Sequence, residues 1–159
     1  MKQIFEILQN DSRTSMERIA TMTGLPVSKV TDAIKQAEQN HTILKYKTVI
    51  NWSKLGDEQV WALVEVKVAP QRDVGFDKIA KRIYEHSQAR SVYLVSGTYD
   101  LAVQVAGKSM QEVAAFVSDK LAPLDGVQST VTHFLLKKYK EDGDVLEGGE
   151  ETRRIPVSP

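Results

Sequence analysis

The chain has 159 residues, 42% apolar and 26% charged, with 21 basic and 21 acidic side chains and no cysteine. These figures fit a globular protein of one medium or two small domains, and they exclude a disulfide framework, thiolate catalysis and the strongest zinc ligands. No apolar run approaches the ~18 residues of a membrane span, and Glu6 and Asp11 interrupt any signal-peptide core, so a cytoplasmic protein is expected.

Residues 2–10 place Ile4, Phe5, Ile7 and Leu8 at helical spacing, and "NDSRTS" then breaks the helix. A second helix starts near Thr14 or Ser15. Thr14-Ser15-Met16-Glu17 has the form of a capping box with Thr14 as N-cap; with Ser15 as N-cap, Arg18 takes the third position and the box is lost. Met16, Ile19 and Ala20 make a short apolar face. Gly24 supplies a positive φ after this helix, and Pro26 suits the first turn of the next. Val27, Val30, Ile34 and Ala37 form one apolar stripe on a third helix, 26 to about 40. Ser28, Lys29, Thr31, Asp32, Lys35, Gln36 and Gln39 occupy the other face. Ile43 to Ile50 alternate as a strand or hairpin would, with Lys45 and Lys47 on one side. Residues 51–59 are polar, contain Gly56 and read as a linker.

The second half reads β-α-β-β-α-β. Residues 60–70 form a strand ending at Pro70. Phe76, Ile79, Ala80, Ile83 and Tyr84 line one helix face. "SVYLVS" and "LAVQVAG" are strands around the turn Gly97-Thr98-Tyr99-Asp100. Met110, Val113, Ala114, Val117 and Leu121 mark a second helix, stopped by Pro123, and 126–139 form a last long strand. This is the ferredoxin-like split βαβ order, an antiparallel sheet with both helices on one face. Val60, Ala62, Val64, Val66 and Val68 line one face, and Trp61 and Leu63 start the other. The last strand is apolar on both sides, with Val131 and Leu135 on one and Phe134 and Leu136 on the other. An apolar open face is expected to pair with another copy of the chain. Residues 141–159, rich in Glu, Gly and Pro, are expected to form a mobile acidic tail. The neutral total hides a gradient: residues 1–50 and 51–140 each carry +2, and the tail −4.

Helix, short helix, glycine turn, helix and hairpin follow the logic of a winged helix-turn-helix. Such a module needs one helix packed by one face, polar on the other, with cations near phosphates. Ser28, Lys29, Thr31, Lys35 and Gln36 suit groove contacts, and Lys45 and Lys47 suit the DNA backbone. Asp32 is either a cytosine acceptor or a deterrent to non-specific binding. The alternative is a plain solvated helix face. His41, His86 and His133 are scattered, no carboxylate pair has metal spacing, and no G-x-S-x-G elbow or phosphate loop exists, so no enzyme, metal or cofactor is expected. The 97–100 turn is either only a turn or a rim where backbone N–H groups and one carboxylate meet a ligand.

Both halves resemble one family. "ILQNDSRTSMERIATMTGL" with "ILKYKTVIN", and "VSGTYDLAVQVAGKSMQEVAAFVSDKLAPLDGVQSTVTHFLLKKYK", are similar to the Lrp/AsnC (feast/famine) transcription regulators. The Gly97-x-Tyr99-Asp100 hairpin, the Leu124-x-Gly126-Val127 entry and the Thr130-x-Thr132 strand fall in that family's order. The resemblance implies an α+β protein with an N-terminal winged helix-turn-helix, 1–50, and a C-terminal ferredoxin-like βαββαβ domain, 60–140, for effector binding and oligomerisation. It implies double-stranded DNA as partner, sheet-to-sheet homodimers that assemble up to octamers, and a nucleoid-associated location. It also implies an amino-acid or related effector near Ser96, Gly97, Thr98, Tyr99 and Asp100. Four positions depart from the family's pattern. Thr98 and Arg18 stand where acids are usual, His41 replaces the glycine before the wing, and Pro26 replaces a small polar N-cap.

Overall fold

A computed structural model describes residues 1–56, 59–69 and 75–146. The chain divides between Ile50 and Asn51 into two compact units.

The first unit is three helices, α1 (Lys2–Asn10), α2 (Met16–Thr23) and α3 (Val27–Gln39). Its core is Ile4 and Leu8 of α1, Ile19 and Ala20 of α2, and Val30, Ala33 and Ile34 of α3. The first pair is spaced by four residues and the last three by three or four, so each set lies on one helix face. Val27, expected on the stripe, is 40% exposed, and the buried face of α3 is instead Val30, Ala33, Ile34 and Ala37. Ser15, not Thr14, caps α2: its Oγ accepts from the Arg18 N–H at 3.2 Å, while the Thr14 hydroxyl donates to the Asp11 carbonyl at 2.9 Å. The Thr14–Glu17 capping box is therefore not formed, because the Thr14 side chain is used in the preceding turn. Gly24 closes α2 at φ 68°, its N–H donating to the Ala20 carbonyl. Pro26 sits at the N-cap of α3 with no side chain to offer the exposed amides.

No strand forms between residues 43 and 50, against the expected strand or hairpin. Strand geometry needs a ladder partner, and nothing else in this unit is extended beside the segment. Two contacts fix its start instead. The Ile43 N–H donates to the Ala37 carbonyl at 2.9 Å, and the Tyr46 hydroxyl donates to Glu38 at 2.8 Å. His41 adopts φ 59°, the left-handed conformation that glycine favours at such a corner.

The second unit opens with a single 3₁₀ turn, Trp52–Leu55. It continues through β1 (Val60–Val68), α4 (Phe76–Tyr84), β2 (Ala89–Leu94), β3 (Leu101–Gly107), α5 (Met110–Phe116) and β4 (Val127–Leu135). The sheet is antiparallel in the order β2-β3-β1-β4. Ala62, Val64, Val66 and Val68 alternate onto one face and pack with Leu101, Val103 and Val105 against Ile79, Ile83, Val113, Phe116 and Leu121. Phe76 and Tyr84, expected on the packed face of α4, are exposed. After Phe116 the helix widens into a π turn, Val117–Leu121, which ends before Pro123. Trp61, Leu63, Glu65 and Lys67 lie on the open face of β1, where cross-strand neighbours include Leu135, His133 and Val131. On the inner side of β4, Phe134 packs against the core, while Leu136, past the strand end, is exposed.

The last strand stops at Leu135, four residues short of the expected end. The chain then folds into a small hairpin of β5 (Lys140–Glu141) and β6 (Asp144–Val145). Asp142 and Gly143 turn it with φ of 47° and 97°, the positive pair that a two-residue Asp-Gly turn requires. Residues 141–146 are thus structured, against the expectation of a tail. Pro70, residues 57–58 of the linker and residues 147–159 lie outside the described residues. The Asn51 side chain donates to the Leu146 carbonyl at 2.8 Å, and the Lys138 ammonium sits 3.7 Å above the Trp61 ring. No helix among the described residues is long and apolar enough to cross a membrane.

Candidate functional site

Two surfaces hold the residues singled out from the sequence. The first is α3. With its buried stripe fixed by Val30, Ala33, Ile34 and Ala37, the 100° step of the helix places Ser28, Asp32, Lys35 and Gln39 opposite the core. Lys29 and Gln36 lie on the flank nearest α1, and Thr31 and Glu38 on the other flank, where Tyr46 meets Glu38. Ser28, Lys29, Lys35 and Gln36 are exposed. Thr31 is half-buried and its hydroxyl donates to the Val27 carbonyl at 2.9 Å, which leaves it only as an acceptor. Gln39 shares the solvent pole with Lys35 and was not among the residues expected to face DNA, although its spacing of four from Lys35 was readable. Lys45 and Lys47 are both exposed on the segment that follows α3. Burial and the Glu38 carboxylate raise the Tyr46 phenol above its ordinary range, so it stays a neutral donor that ties this segment to α3.

The second surface is the β2–β3 turn. Ser96, Gly97 and Thr98 are exposed, Tyr99 and Asp100 half-buried. Gly97 takes φ 148°, a conformation open to glycine and strained for other residues, so the turn depends on it. The turn is closed at its base: the Val95 N–H donates to the Asp100 carbonyl at 2.9 Å, and the Asp100 N–H to the Val66 carbonyl at 3.0 Å. The Asp100 carboxylate does not face an empty rim. Its Oδ2 accepts from the Val68 N–H at 2.8 Å and lies 3.2 Å from the Lys67 ammonium. The Val68 amide, and then Lys67, hold this carboxyl below its ordinary range. Asp100 therefore pins the turn to the end of β1. Sequence reasoning offered it as the acceptor for a ligand's amino group and missed Lys67 and Val68, which lie more than thirty residues away. Thr98, in contrast, is exposed at the tip. Among the described residues, no cluster of His, Cys, Asp or Glu has the makings of a metal site.

Comparison with known proteins assigns both units. Residues 61–145 match the family model described as the Lrp/AsnC ligand binding domain, and residues 1–43 match a winged helix-turn-helix DNA-binding model. The chain is 52% identical over 158 residues to the HTH-type transcriptional regulator YugG of Bacillus subtilis (strain 168), covering 99% of this chain and 95% of that protein. Its fold matches that of a feast or famine regulatory protein of M. tuberculosis complexed with L-methionine, with TM-score 0.70, 21% identity and coverage of 91% and 95%. It also matches a transcriptional regulator/L-Met complex from Neisseria meningitidis, with TM-score 0.68, 22% identity and coverage of 87% and 89%.

Proposed function

The chain belongs to the Lrp/AsnC family of transcription regulators, and we propose that an amino acid or related small metabolite controls its assembly or its grip on DNA. It is a DNA-binding transcription regulator with a ligand-binding domain. In this reading Ser28, Lys29, Lys35 and Gln36 meet the major groove, Thr31 contributes as an acceptor, and Lys45 and Lys47 take backbone phosphates. The observation that carries the DNA assignment is the solvent pole of α3. Polar and charged residues stand there on a helix held by four buried residues, so their backbone positions are set before DNA arrives. The protein works in the cytoplasm, on the nucleoid, as a homodimer or a larger assembly. Two heads per dimer call for a roughly palindromic site with half-sites one or more helical turns apart.

The effector reading rests on the exposed 96–98 tip and on the two methionine-bound relatives of the same fold. A second reading, an effector-independent architectural DNA-binding protein, is favoured by one observation: the only carboxylate of the turn is already paired with Val68 and Lys67. A thermal-shift screen with the amino acids separates the two. Binding to the native state raises the melting temperature by mass action, by about 2.7 kcal/mol of stabilisation at a hundred times Kd. A flat screen, with specific DNA binding intact, would establish the second reading.

A further inference from the structure

Between the start of α1 and the flank of α3 lies an open hollow of about 300 Å³, at the lower end of the range for small-molecule sites. Its floor is Ile4, Leu25 and Ala33, and its rim is Met1, Lys29, Asp32 and Gln36. Ile4 and Ala33 are buried, so packing fixes the floor. Lys29 and Asp32 stand three residues apart on one rim, yet neither is ion-paired with the other or with any described residue. Two opposite, unspent side-chain charges beside the apolar Met1 and Leu25 match a small molecule with both charges at one end and an apolar group at the other.

We propose that this hollow binds a zwitterionic amino acid with an apolar side chain, at a site separate from the 96–100 turn. Asp32 receives the ammonium, Lys29 the carboxylate, and Gln36 a further hydrogen bond at the charged end. The side chain lies against Met1 and Leu25, above the buried Ile4 and Ala33. The site does not depend on the effector reading of the turn. Its consequence rests on the α3 reading: Lys29 and Gln36 are proposed to touch DNA, so an occupied hollow withdraws both from the groove and competes with DNA directly. The charges are solvent-screened, so binding is weak.

The test is an amide NMR titration of the full chain with L-methionine, and in parallel with N-acetyl-L-methionine and L-methioninamide, each of which lacks one of the two charges. Saturable shifts at Ile4, Leu25 and residues 29–36 are expected with L-methionine and with neither capped form. Asp32→Asn should weaken the effect roughly two- to fivefold, the range for an exposed charge pair. Asp32→Lys, which puts a second cation on the rim, should abolish it. Saturating L-methionine should also lower the affinity for a fluorescent operator duplex, and an unchanged affinity would overturn the competition. Capped forms that shift the same amides, or shifts that persist in Asp32→Lys, would overturn the site. Shifts confined to 96–100 would overturn it while leaving the effector turn standing. Shifts in 29–36 alone would sustain it and remove the turn.

Discussion

Ile34→Ala should silence DNA binding by unfolding the first unit alone. Ile34 is 2% exposed and belongs to a core of only seven buried residues. Cutting a buried isoleucine back to alanine costs about 2–5 kcal/mol, since the vacated volume adds to the lost transfer energy. A unit spanning Met1–Ile50 should hold about 2.5–7.5 kcal/mol in total, at about 0.05–0.15 kcal/mol per residue. The loss is thus of the same size as everything that keeps α3 in place. The β-sheet unit has its own core of thirteen buried residues and shares none with the first. The expected NMR spectrum of the variant shows collapsed dispersion for residues 1–50 and unchanged resonances for β1, β3 and β4, with specific DNA binding lost. Two outcomes would refute the reasoning: a folded first unit with near-normal DNA affinity, or concerted unfolding of both units.

Ser15→Ala should lower the urea midpoint of the first unit by the equivalent of about 1 kcal/mol, and Thr14→Ala by less. The reverse order would restore the capping box. Lys45→Ala with Lys47→Ala should weaken binding to all DNA sequences alike and flatten the log–log salt dependence by roughly 0.9 for each phosphate no longer neutralised; an unchanged slope removes both from the backbone. Asp100→Asn should be less stable than the parent at neutral pH. Because the folded carboxyl is held below its ordinary value of 3.8, its contribution is complete above that value and disappears as pH falls through the depressed one. The midpoint gap between parent and variant should therefore be constant near neutrality and close below about 3.8. A gap that widens on acidification contradicts the pairing with Val68 and Lys67.

Much of the fold was open to a reader of the sequence, for a physical reason. Val60, Ala62, Val64, Val66 and Val68 recur at every second residue, and that two-residue period marks a strand with one face packed. The recognition helix was as plain, apart from Val27, which a stripe drawn through valines included and the true stripe through Ala33 does not. The misses are of two kinds. Residues 43–50 alternate well, but a strand exists only where a second strand lies beside it, and alternation says nothing about partners. The 140–145 hairpin carried a clear Asp-Gly signal and was lost inside an acidic composition. The candidate turn was located from pattern and resemblance together. The partners of its carboxylate were not foreseen, because side-chain to backbone bonds across thirty-two residues leave no periodic trace.

The Asn51–Leu146 hydrogen bond has a consequence for how the ligand-binding unit can be handled. It brings the first residue of that unit and the last described one within one hydrogen bond of each other, so the described part of the unit begins and ends at one place. A foreign head can be spliced at Asn51, or a reporter at Leu146, without stretching the sheet between them. The same closeness means that a bulky group inserted directly after Leu146 sits beside Asn51, where the chain enters this unit.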